Sequence, residues 1–242
     1  MKKQATLTVF IFLLLLGKVF AQTDSLSSKY LSIGSKKAGI CFGNSPIYTG
    51  LRLNLIDKQV KRVNIINFSL LKAQANRSNG LSLSLFVNRD SCNNGLTFAA
   101  LGNNGFKRNG VAASVLFTNV SKINGLGVAG LGLMGDTLNG FFIGGFAVSK
   151  WKSETQINLI NGVAIAVIGT SAERVNGLTI SVINGSNQHH GLSIGIFNRT
   201  EKLRGVQVGL INYAGNNPRG LRWLPLINMH FGNDTVLKKC VK

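Results

Sequence analysis

A nearly regular fifteen-residue spacing of glycine governs what this 242-residue chain can become. Counted from Gly50, steps of fifteen land on Ile65, Gly80, Gly95, Gly110, Gly125 and Gly140. After a seven-residue insertion the series resumes at Gly162, Gly177, Gly191, Gly205 and Gly220, so residues 50–231 hold twelve units. Such a period marks a repeat architecture, in which each unit buries its surface only by stacking on its neighbours.

Within a unit the order is Gly, apolar, variable, apolar, small, apolar, apolar, polar, as in GLTISVIN at 177–184, GLSIGIFN at 191–198 and GVQVGLIN at 205–212. Alternation rich in β-branched residues predicts a short strand, and the polar second half predicts turns. Asn precedes the unit start at Asn64, Asn79, Asn94, Asn109, Asn124, Asn139, Asn161 and Asn176. Two all-β architectures use an Asn-Gly step of this kind. In a β-solenoid of about twelve fifteen-residue coils, the Asn side chains form a ladder, each bonding the next. In the alternative, a 12-stranded antiparallel outer-membrane β-barrel, Asn-Gly is a two-residue hairpin turn.

The solenoid is favoured on three grounds. Barrel strands of about 13 residues would carry Gly, Asn, Asp and Ser at mid-strand, where they fit poorly. Successive units look alike, without the short-turn, long-loop alternation and aromatic girdles of membrane barrels. Pro225 interrupts the last unit, which suits a terminal edge strand that stops further stacking. A column of small residues (Ser84, Ala99, Ser114, Ala129, Gly144, Ala166, Ser181, Gly195, Gly209) fits a tightly stacked face. This reading expects the apolar columns to be buried and the rod to be soluble, whereas the barrel would turn those columns to lipid.

The final units, GVQVGLINYAGNNPRGLRWLPLINMHF at 205–231, resemble the bacterial surface-repeat proteins, which are built from tandem G-[VL]-Q-[VI]-G-[LI]-[IL]-N units. Gly205 to Asn212 match that unit and Leu224 to Asn228 match its usual terminal form. The likeness is close over 191–231 and loose over 50–231, where earlier units replace Gln at the third position by Ser, Thr, Ala or Gly. The resemblance implies a protein of the cell envelope, outer membrane or cell surface of a Gram-negative-type bacterium, and little chemistry.

The N-terminus reads independently as an export signal. Lys2 and Lys3 precede an apolar run over Leu7 to Leu16, and Val19-Phe20-Ala21 places cleavage between Ala21 and Gln22. The expected organisation is signal 1–21, N-terminal cap 22–49, repeat domain 50–231 and basic tail 232–242. An exported chain permits disulfides, and Cys41 and Cys92 are the candidate pair among three cysteines.

Chemistry is sparse. No CxxC or phosphate-binding glycine loop occurs, the three His include the adjacent His189-His190, read as a solvated turn, and the eight acids scatter. We therefore expect no catalytic residues, no metal site and no cofactor. Charge is the exception: without the signal, 24 Lys and Arg face 8 Asp and Glu, a balance of +16. Counting twelve residues on from each unit start gives Arg62, Arg77, Cys92, Lys107, Lys122, Thr137, Lys152, Arg174 and His189, with Lys202 one position earlier in a shortened unit. In a parallel solenoid these become one basic line, flanked by Lys61 and Arg108. Such a line suits an acidic polysaccharide or lipopolysaccharide phosphates. Few aromatics lie beside it, so specific recognition of nucleic-acid bases is not expected.

Overall fold

The structure is a computed structural model that describes residues 30–35, 37–149 and 157–232. The expected cleavage site Ala21–Gln22, Lys152, Cys240 and most of the basic tail fall outside these residues. The strands are β1 Tyr30–Gly34, β2 Ala38–Gly43, β3 Ile47–Ile56, β4 Val60–Ala73, β5 Ala75–Ser84, β6 Val87–Ala99, β7 Gly102–Ser114 and β8 Phe117–Ala129. They continue as β9 Gly132–Met134, β10 Thr137–Gly144, β11 Ala147–Val148, β12 Ile157–Ala166, β13 Gly169–Ile180, β14 Ile183–Ile194, β15 Phe197–Ala214 and β16 Trp223–His230. Among the described residues no helix is long and apolar enough to cross a membrane.

From β2 to β15 every pairing is parallel and in register, one unit stacked on the next. The chain is therefore a β-solenoid, and parallel register excludes the antiparallel barrel, whose neighbouring strands must run in opposite directions. The glycine column runs in line from Gly39 through Gly50, Ile65 and Gly80 to Gly205, eleven turns in all. The stack thus begins inside the segment expected to be the cap. The unit at Gly220 adds no further coil: β16 folds back antiparallel on β15, and β1 lies antiparallel on β2. Each end is closed by a reversed strand.

Numbering the glycine as position 1, inward side chains stand at positions 3, 5, 9, 11 and 14. Adjacent pairs of outward residues mark bends near 6–7 and 12–13. Each coil thus turns around a shared interior. That geometry reverses the expected burial of the apolar columns. Positions 2 and 4, such as Leu96 and Phe98, face outward, while the small column at position 5 faces inward. Because strand alternation is strictly two-fold, committing the small residues to the interior forces their apolar neighbours out.

The interior changes character along the rod. A cluster of thirteen apolar residues, among them Ile123, Leu133, Leu138, Phe142 and Ile160, fills the middle coils. Toward the N-terminal end Arg52 donates to Asp57 at 2.7 Å and to Asn67 at 2.7 Å, while Ser69 donates to the same carboxylate at 2.9 Å. Toward the C-terminal end Asn184 donates to Asn198, and Asn198 to Asn212, at 2.8 and 2.7 Å. Cys41 is buried and Cys92 half-buried, and both are free. They occupy different positions on coils several turns apart, which rules out the expected candidate bridge.

Candidate functional site: a basic edge

Position 15 carries the exposed edge's internal support. Asn64 donates to Thr49 at 3.0 Å, and from Asn79 to Asn176 each Asn donates to the Asn one coil before it, at 2.7–2.9 Å. The line bridges the insertion through Asn161 and Asn139. It stops at His190, which stands in register with Asn176. Each bond is short and half-buried, and the whole column locks coil spacing beside position 13.

Position 13 lies on the second bend, where the side chain leaves the rod. The register puts Arg62 beside Arg77, then Cys92, then Lys107 beside Lys122, then Thr137. Beyond it the line continues through Leu159, Arg174, Gln188 and Lys202. Arg62, Arg77, Lys122, Arg174 and Lys202 are exposed and Lys107 is half-exposed. Arg174 Nε donates to Gln188 Oε1 at 3.1 Å.

Two residues leave the expected set. His189 pairs with Val175 and Leu203 and is buried, because a shortened unit shifts it by one position into the interior; it lies within β14 rather than in a turn. Its pKa is lowered to about 4, chiefly by burial, with the neighbouring His190 charge adding to the effect and a hydrogen bond to the Leu192 backbone opposing it. Arg108, expected to flank the line, also points inward, donating to the Asp90 and Asn104 carbonyls at 2.9 and 2.8 Å. Burial lowers its pKa and raises that of Asp90, while each charge partly offsets the shift of the other.

The acids divide the edge into unequal halves. Asp57 and Asp90 are the acids between residues 37 and 135, and both are buried. Hence Lys61, Arg62, Arg77 and Lys107 share an edge with no exposed carboxylate, while Lys122 lies one coil from the half-buried Asp136. Further along, position 12 holds Asp136, Glu173 and Glu201 beside the basic line. Glu201 is moreover bound to Arg199 at 3.0 Å. The uncancelled field belongs to the N-terminal half. The sequence showed the spacing of this line, but the inward turn of Asp57 and Asp90 depends on three-dimensional parity.

Coils repeat about every 4.8 Å, so Arg62 to Lys122 spans roughly 19 Å. The basic side chains are exposed or half-exposed along this length. Among the described residues no three His, Cys, Asp or Glu gather in a way that would hold a metal. Comparison of the chain with protein families, curated proteins and solved structures finds no match.

Proposed function

We propose that this is an exported, non-enzymatic scaffold of the cell envelope or surface that holds an extended acidic polysaccharide along its basic edge. The observation carrying this reading is the run Lys61, Arg62, Arg77, Lys107 and Lys122, set on coils one or two steps apart, with Asp57 and Asp90 of the same stretch buried. Cations recurring at ~5 or ~10 Å suit a linear polymer with an anionic group on each sugar or alternate sugars. Exposed pairs of this kind gain affinity by counterion release and lose it with salt. Export is supported by the Lys2-Lys3 and Leu7–Leu16 signal pattern, and surface location by the resemblance of residues 191–231 to surface-repeat proteins.

The test uses alginate as a carboxylated linear probe, titrated at several salt concentrations. Replacing Arg62, Arg77, Lys107 and Lys122 together by Ser should weaken binding more than tenfold and flatten its salt dependence. Replacing Arg174 and Lys202 by Ser should change it less than about twofold, because the adjacent Glu173 and Glu201 already cancel much of that field. Binding unchanged in the first variant, or equal losses in the two, would overturn the assignment.

A further inference from the structure

The face formed by the first seven positions of the coils is uniformly apolar along the rod. At positions 2, 4, 6 and 7 of the eleven coils from Gly50 to Gly205, no side chain is polar or charged. The same surface extends beyond these coils: Ile40 and Phe42 of the parallel strand β2 align with Leu51 and Leu53, and Met229 and Ile227 of the reversed β16 align with Val206 and Val208. Many of these residues are widely exposed, Leu96 to 51%, Val167 to 65% and Leu210 to 62%. Fourteen strands at ~4.8 Å and five residues at ~3.3 Å give a patch on the order of 1,000 Å². Soluble monomers seldom show apolar patches beyond a few hundred Å².

We propose that a second copy of this chain covers that surface, two rods packing side to side through their apolar faces. Three observations favour this occupant. Pairing would bury roughly 2,000 Å² in total, at the upper end of what specific interfaces need. The face is a regular sheet of Leu, Ile, Val and Phe columns, which two-fold symmetry makes self-complementary and which can interdigitate as sandwich sheets do, about 10 Å apart. Charge also fits: the basic bend at positions 12–13 lies outside the face, so pairing leaves both basic edges uncovered. A lipid surface fits less well, since docking by this face would lift the cations away from anionic headgroups. Nor do Tyr or Trp stand at these positions in any of the eleven coils to anchor at a membrane interface.

Sedimentation velocity on the purified chain, with flotation on vesicles of phosphatidylethanolamine and phosphatidylglycerol, tests the pairing. The expected result is a dimer at micromolar concentration, converted to monomer by Leu96→Lys with Phe141→Lys while β-type circular dichroism is retained. Both side chains are exposed, so a correctly folded monomer tolerates the change. Should that variant misfold, Leu96→Gln with Phe141→Gln makes the same comparison, with at least a tenfold weaker dimer expected. A monomer at all concentrations, a dimer indifferent to these substitutions, or vesicle binding that the substitutions abolish would each overturn the proposal. Loss of alginate binding in the basic-edge variant with the dimer intact would separate this inference from the polysaccharide reading.

Discussion

His189 shows how one deleted residue changes a side chain's role. The unit at Gly177 is fourteen residues long, so the His pair arrives one position early: His189 enters the interior between Val175 and Leu203 while His190 takes the ladder position. Nε2 of His189 has no hydrogen-bond partner and the ring is buried neutral, with its pKa lowered to about 4 from 6.5. In the unfolded chain the ring takes up a proton below about pH 6.5, whereas the folded chain resists until about pH 4. Stability from this site is therefore complete above pH 6.5 and is lost as pH falls toward 4, by about 3 kcal/mol in all. His189→Leu, matching Leu203 in the same column, should remove that slope and leave the protein more stable than the parent at pH 4.5. Urea midpoints compared between pH 4.5 and 7.5 provide the measurement; parallel pH profiles for the two proteins would refute it.

At the scale of the strand, the glycine column both sets the turn and permits the stacking distance. Gly110 has φ +122°, and a Cβ there would collide with the carbonyl oxygen of Gly95 in the coil before. Ile65 holds the same column position at φ 85°, a conformation that a β-branched residue adopts only under strain. Opposite changes should then have opposite signs. Gly110→Ala should cost roughly 3 kcal/mol, and Ile65→Gly, at a half-exposed site, should gain about 1 kcal/mol by releasing strain. A lowered unfolding midpoint for Ile65→Gly would show that Ile65 is not strained as described. Period, strand position and the Asn64–Asn176 column were all legible in the sequence, because each is a repeat of residue type at fixed spacing. Which face of the strand points inward was not, since alternation defines two faces without ranking them. Hydrophobicity alone chose the wrong one. The deciding signal was volume at one position: Ser69, Ser84, Ala99, Ser114, Ala129 and Gly144 form an aligned column of small side chains that faces inward. The same parity put Arg52, Asp57, Asp90 and Arg108 inside, so the split of the basic edge could not be read from charge counts.

The whole rod must solve the problem that every stack of parallel strands has two open ends. A parallel edge at Gly205–Tyr213 would present unpaired backbone groups to any other such edge. Here β16 covers it, reversed in direction, with Trp223 against Tyr213 at a ring separation of 4.7 Å and against Phe197 at 6.2 Å. Asn228 fixes the returning strand, accepting from Asn217 at 2.8 Å and donating to the Arg222 carbonyl at 3.0 Å. Pro225 within β16 withholds one backbone donor from a further strand. A chain ending at Asn216 should therefore keep its coils yet join another copy through the uncovered edge. Because β1 still seals the opposite end, joining should stop at tail-to-tail doublets rather than grow into fibres. In a Leu96→Lys, Phe141→Lys background, where pairing through the apolar side is blocked, only the ends remain free to associate. Small-angle scattering should then show a maximum dimension nearly doubled at micromolar concentration. An unchanged dimension would mean that β16 is not needed to close the rod, and fibres would mean that β1 does not close the other end either.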